Sequence, residues 1–183
     1  MKKVYIFLGE GFEEMEAVTP LDLLRRVGVD AKFVSITQSL QVSGAHNVLF
    51  TADIFFDEAR KHRADGIVLP GGMPGTLNLL AHKGLCSLIQ EYAKAQLPVC
   101  AICAAPLILG ELNLLAGKTA TIYPGIEDKL LGATPSESPV CVDGAIITSR
   151  GPGTAVPFAL KLVELFAGKE AAKNLTDEIV YRK

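Results

Sequence analysis

Short runs rich in Val and Ile alternate with segments of helical period along most of this chain. That alternation limits the folds open to it more than any other feature. Val4–Leu8, Ala31–Ile36, Gly66–Leu69, Val99–Ile102 and Ala145–Ser149 are largely apolar. Runs of this length suit strands covered on both faces. Between or after them, Glu14–Val27 sets Val18, Leu21, Leu24 and Val27 on one helical face, and Leu85–Ala95 does the same with Leu85, Leu88, Ile89 and Tyr92. Pro106–Leu115 and Ala155–Ala167 read as two further helices, and Gly28 and Gly168 stand where C-terminal caps belong. Strands that alternate with helices build right-handed crossovers, so the pattern predicts a doubly wound α/β fold: a mostly parallel sheet with helices on both faces. Leu40–Val42 and Val48–Ala52 predict a small hairpin or edge strands. With no internal repeat and no linker, residues 1–183 read as one domain.

Composition excludes several classes. Hydrophobic residues make up 49% and charged residues 21%, enough for a substantial core. A formal net charge of −2 argues against a nucleic-acid partner held by a general basic surface. No apolar stretch approaches the ~18 residues of a membrane span, so no membrane partner is expected. The opening MKKVYIFLGEGFEE has Glu10 inside its apolar run and no small-residue cleavage site, so it predicts a first strand and not an export signal. The 4 cysteines are then expected as reduced thiols in a cytoplasm. Cys100 and Cys103 form a C-x-x-C, but no second such pair or His pair completes a metal site, and no metal is expected. Cys86, Cys100 and Cys141 read as ordinary core thiols.

In sheets of this kind, sites form beyond the carboxyl ends of the strands. Four informative loops fall there: GEGFEEME, PGGMPG, CAAP and RGPGT. Cys103 occupies the join between a strand and a helix, where a side chain stands clear of the sheet like the nucleophile of an elbow. Helix-terminal amides favour thiolate there and are expected to bring its pKa below the ~8.5 of a free thiol. The amide of Ala104 follows the nucleophile directly, and Gly72 offers a second donor from a loop in which backbone can approach a ligand. Glu16, on the first helix, is the candidate acid: beside a thiolate it keeps its proton and donates it to sulfur, and the two titrate together. Glu13 and Glu14 read as a solvated acidic first turn. Of the 3 histidines, His62 and His82 read as solvated, while His46 can reach a site from its loop or stay on the surface.

GFEEMEAVTPLDLLRRVG, VLPGGMPG, AICAAP and TSRGPGT, in this order and spacing, resemble the ThiJ/PfpI superfamily, most closely its parkinsonism-associated (DJ-1) branch. The resemblance spans essentially the whole chain and implies a flavodoxin-like sandwich that pairs as a homodimer. It implies that Cys103 is the reactive nucleophile and Glu16 its protonated partner, with backbone donors at Gly72 and Ala104. Gly71, Tyr123 and His46 would line the pocket, and Arg26, Arg150, Gly151 and Pro152 would lie near the partner or the site. It also implies a stress-response activity without a cofactor, of glyoxalase or deglycase type, on α-oxoaldehydes such as methylglyoxal or on glycated substrates. The alternative is a redox sensor or chaperone that uses oxidation of Cys103. A cysteine hydrolase or amidase ranks last, because Ala104 stands where the protease-like branch has a histidine. Tyr123 stands where glyoxalase-active members have a histidine, and a phenol is a poor general base at neutral pH.

Overall fold

A computed structural model describes residues 1–182. In chain order the elements are β1 (Lys3–Leu8), α1 (Glu14–Arg26), β2 (Asp30–Ser35), β3 (Gln41–Ser43), β4 (Leu49–Thr51), β5 (Ile54–Phe55), α2 (Phe56–Lys61), β6 (Gly66–Leu69) and α3 (Gly75–Ala81). They continue with α4 (Lys83–Lys94), β7 (Val99–Ile102), α5 (Pro106–Glu111), β8 (Thr119–Ala120), β9 (Thr134–Pro135), β10 (Val140–Asp143), β11 (Ile146–Ser149), α6 (Ala155–Ala167) and α7 (Lys169–Glu178). Seven strands form the main sheet in the order β10-β11-β7-β6-β1-β2-β5. All neighbours run parallel except β10, which returns antiparallel to β11. The fold class is the doubly wound, mostly parallel one that the alternation predicts.

Each central strand is buried on both faces because its side chains alternate between two cores. Tyr5 and Phe7 of β1, Ile67 and Leu69 of β6, and Val99 and Ala101 of β7 pack with α4 and α5. Val4, Ile6, Leu8, Val68, Cys100 and Ile102 face α1 and α6 instead. Cys100 is thus an inert thiol sealed under α1 and α6, and burial pushes its pKa up. Cys86 and Cys141 depart from the core expectation. Both are half-buried, and their thiols donate to the carbonyls of Leu80 and Thr119.

The helix boundaries differ from expectation by one or two residues in α1 and α4 and by four in α5. α5 stops at Glu111 and not at Leu115, because Asn113 takes a left-handed φ of 57° and the Leu114 amide turns back to Leu109 O. On α1 the fully buried stripe is Ala17, Pro20, Leu23 and Leu24. Val18, Leu21 and Val27 lie at its margin, half-buried against the same core. The hairpin forms as β3 paired antiparallel with β4, a sheet of its own outside the main one. The short strands β5, β8, β9 and β10 and helices α2, α3 and α7 are additional to the elements named from the sequence.

The strand order fixes where a site can form. From β1 the chain crosses to β2 on one side, and from β6 it crosses to β7 on the other. The reversal opens a crevice beyond the carboxyl ends of β1 and β6. The four loops read from the sequence follow β1, β6, β7 and β11, which are consecutive, parallel neighbours. All four therefore emerge at one edge of the sheet.

Among the groups beneath the sheet, Tyr92 is buried, and its hydroxyl both accepts from the Ala64 amide and donates to the Ala64 carbonyl, each at 2.9 Å. Tyr92→Phe strands both backbone groups and should cost about 1–3 kcal/mol in urea unfolding. A loss below about 0.5 kcal/mol would mean that Ala64 is not held by this hydroxyl.

Candidate active site

Cys103 leaves the end of β7 with φ of +63°, a conformation that costs a non-glycine residue about 1–3 kcal/mol. Three backbone bonds hold it there. Its amide donates to Ser149 O of β11 at 3.0 Å, its carbonyl accepts from Tyr123 N at 2.9 Å, and the Ala105 amide turns back to Ile102 O. The twist lifts the sulfur out of the sheet, half-buried. The amides of Ala104 and Gly72 both donate toward it and lower its pKa. The strand-to-helix turn at Cys103 thus has the amides of Ala104 and Gly72 near its sulfur.

Glu16 comes from the first turn of α1 and is fully buried, at 0% exposure. Its Oε2 accepts from the Gly71 amide at 2.8 Å. Its Oε1 has no hydrogen-bond partner among the described residues, and the Cys103 thiol is the side-chain partner within reach of the carboxyl. Burial raises Glu16 to about 7, helped by the charge of Glu13, while Cys103 and the Gly71 amide oppose the rise. The Cys103 thiol is pushed up to about 12 by burial and by the Glu16 charge. The expectation that helix-terminal amides alone hold it below a free thiol is thus corrected: desolvation and a like charge outweigh two amide donors. Two anions cannot share this space, so the pair keeps one proton between them. When Glu16 holds that proton, the charge that opposes the thiolate disappears.

Glycine is required where these loops meet. A Cβ on Gly71 would lie 2.7 Å from both Cys103 Cβ and Glu16 Oε2. Gly72 has φ of +86°, and a Cβ there would meet Glu13 N at 2.4 Å. Gly151 also approaches the sulfur: its Cβ position is 3.3 Å from Tyr123 Cδ2 and 4.0 Å from Cys103 Sγ. Tyr123 and Gly151 thus lie beside Cys103, with Tyr123 about half exposed at 49%. Arg150 and Pro152 sit beside Gly151, both half-buried.

Other expected residues lie elsewhere. His46 is exposed on the β3–β4 loop, where its Nδ1 pairs with Glu14 Oε2 at 2.7 Å, and no contact brings it to Cys103. The carboxylate of Glu14 captures it. Glu13 and Glu14 are not a solvated first turn but are both buried, because the β3–β4 loop closes over them. Arg26 ends α1, ten residues and about 15 Å of helix from Glu16. It pairs with Asp22 and Glu178, so it is remote from the sulfur. His82 caps α4 by accepting from Leu85 N and sits 4.5 Å from the Phe56 ring. Glu13, Glu14 and His46 are the residues that could hold a metal, with one ligand-type atom each within 4.8 Å of the others. Glu14 and His46 already bond each other, Glu13 caps α1, and the positive end of the helix opposes a cation.

A doubly wound sheet with a strained cysteine at the strand-to-helix turn, a buried acid beside it and two amides aimed at its sulfur defines the class: a nucleophile-elbow α/β protein. The comparisons carry this further. The model of the DJ-1/PfpI family matches residues 2–165, and the chain belongs to that family. It is 39% identical over 175 residues to Protein DJ-1 homolog B of Arabidopsis thaliana, which covers 95% of this chain; the chain spans only 40% of that protein's length. It is 32% identical over 185 residues to the Parkinson disease protein 7 homolog of Danio rerio, covering 99% of this chain and 98% of that one. The solved structure of oxidized Toxoplasma gondii DJ-1 superposes with a TM-score of 0.96 at 33% identity over 100% of both chains. No helix among the described residues is long and apolar enough to cross a membrane.

The raised acid has a consequence for stability. A carboxyl at about 7 instead of 4.5 favours the folded state fully below pH 4.5, and that advantage is lost as pH rises through 7. The loss amounts to roughly 3 kcal/mol. Glu16→Gln keeps an acceptor for the Gly71 amide and cannot ionise. In urea titrations from pH 4.5 to 8.5 it should match the parent at the acid end and become the more stable protein toward pH 8.5. Curves that stay parallel throughout would show that Glu16 does not hold its proton.

Proposed function

We propose that this chain, a DJ-1-like stress protein, acts as a glyoxalase- or deglycase-type enzyme on α-oxoaldehydes such as methylglyoxal. The observation that carries this reading is the strained turn that sets the Cys103 thiol against the buried Glu16 carboxyl, whose Oε2 is held by the Gly71 amide while Oε1 has no partner among the described residues. The Cys103 thiolate adds to the aldehyde carbon, and the carbonyl oxygen becomes an oxyanion held by the amides of Gly72 and Ala104. Glu16 protonates that oxygen, giving a hemithioacetal. As a carboxylate it then takes the proton from the former aldehyde carbon and returns it to the neighbouring carbon through an enediol. Water cleaves the resulting thioester, releases the hydroxy acid and restores the thiol. Methylglyoxal plus water gives lactic acid, so carbon is oxidised and reduced within one molecule and no electron carrier is needed.

This reading includes a homodimer in a reducing cytoplasm. Its support is the exposed Met15 on α1 and Leu49 on β4, apolar side chains that the main core does not use. Arg26, on the same helix, and the Arg150 loop would lie toward the partner.

Tyr123 beside the sulfur limits the rate, because a phenol cannot serve as a base at neutral pH. Purified protein given methylglyoxal should form lactate slowly, and Cys103→Ser should form none. Tyr123→His should raise turnover, by ~10²–10⁴-fold at most. If Tyr123→His leaves turnover unchanged while Tyr123→Phe abolishes it, the phenol is itself catalytic and the assignment is wrong.

One observation favours a second reading, a redox sensor with chaperone action. The donors around the sulfur suit an oxidised cysteine, since a sulfinate offers extra acceptor oxygens to Glu16 and the Gly72 amide. Graded peroxide followed by peptide mass spectrometry should then show Cys103 oxidised before Cys86, Cys100 and Cys141 and halted at the sulfinic stage. Oxidation of Cys86 or Cys141 at the same dose would remove this reading.

A further inference from the structure

Glu13 is buried and bonded both to Glu16 and to the loop that holds the Glu16 carboxyl. Its carboxylate Oε2 accepts from the Glu16 amide at 2.8 Å and caps α1. Its own amide donates to Gly71 O at 2.9 Å. The Gly71 amide in turn donates to Glu16 Oε2 at 2.8 Å. These three bonds close a ring: Glu13 to Gly71, Gly71 to Glu16, Glu16 back to Glu13. The ring joins the start of α1 to the loop that carries the Gly72 donor and fixes the direction in which the Glu16 carboxyl points. There is no room to slacken it, since a Cβ on Gly72 would lie 2.4 Å from Glu13 N.

A Ser, Asp or Asn is the usual cap for a helix start, because a short side chain reaches the free amides easily. A buried glutamate in this place brings a negative charge close to an acid that must stay neutral. We propose that Glu13 is a positioning residue, which aims Glu16 through the three-bond ring and uses its charge to raise the fraction of pairs in which Glu16 holds the shared proton and Cys103 is the thiolate. The charge acts in this sense on Glu16, whereas the groups that shift Cys103 are burial, Glu16 and the two amides. The groups facing Glu16 are thus Cys103 from the elbow after β7, the Gly71 amide from the loop after β6, and Glu13 from its own helix start. Glu13 is itself faced by Glu14 and by His46 from the β3–β4 loop.

A neutral residue at position 13 lets Glu16 ionise more readily, and the thiol then keeps the proton. The inference rests on the Cys103–Glu16 pairing, and its test needs no turnover. The readout is the rate of Cys103 alkylation by iodoacetamide in the full chain at pH 9, where the pair holds one proton, expressed as the ratio of the variant's rate to the parent's. Glu13→Gln retains length and an acceptor oxygen. Glu13→Ser retains a good cap, which guards against loss of folding. Both should lower the ratio, roughly three- to tenfold for a shift of up to about one pH unit. Glu13→Asp, which restores the charge, should return it toward the parent value. A merely structural cap would change unfolding midpoints and leave the ratio alone. An unchanged ratio in both neutral variants overturns the proposal, and so does an equal fall in Glu13→Asp. If the parent forms no lactate but the ratio shifts as described, the enzyme reading fails and the role of Glu13 stands. If lactate forms and the ratio does not move, the reverse holds.

Discussion

A carboxyl group with no exposure and one unpartnered oxygen is the most demanding element of this structure, and the rest of the site is arranged around it. Glu16 can be buried because it need not be charged: one oxygen takes the Gly71 amide, and the other is left facing a sulfur that can receive its proton. Desolvation is what makes the proton stay. The same desolvation would make Cys103 a poor nucleophile if Glu16 ionised, since both groups would then hold the thiol neutral. Reactivity at this cysteine therefore depends on which of the two groups carries one proton, and not on a helix dipole alone.

The surrounding fold supplies the rigidity that such a pair needs. β1, β6, β7 and β11 are consecutive in the sheet and buried on both faces, so the loops at their carboxyl ends have little freedom to drift. The left-handed backbone at Cys103 persists because Ser149, Tyr123 and Ile102 each bind the turn from a different side. Gly71 and Gly72 are held by the absence of space for anything larger. A strained cysteine, a buried acid and two close-packed glycines each cost stability, and the two apolar cores flanking the sheet offset that cost.

The β3–β4 hairpin lies outside the main sheet but contributes to the site from a distance. It closes over the start of α1, where His46 pairs with Glu14 and the Gly11 amide reaches Ser43 O. That cover turns Glu13 and Glu14 from solvated charges into buried ones. Acidic residues that look like an ordinary first turn in the sequence thus become part of the electrostatics around Glu16.

The sequence by itself determined the strand–helix alternation, and with it the parallel sheet, because hydrophobic period is a local property that survives any packing. It also determined the family through four motifs in order, and it singled out Cys103 and Glu16, because a cysteine at an abrupt change of period and an acid one turn into the first helix are visible in a string of letters. The donors at Gly72 and Ala104 followed from the same local logic. Only the tertiary structure decided the rest. Which carboxylates lost their solvent, that His46 turned to Glu14 and not to the sulfur, that Arg26 ended far from the site, and that Tyr123 and Gly151 came to lie beside Cys103 all depend on contacts between segments distant in sequence. Burial and the placement of neighbouring charges have no signature in a linear pattern. The protonation state of Cys103 is set by both, so it could be read only once the loops had been brought together.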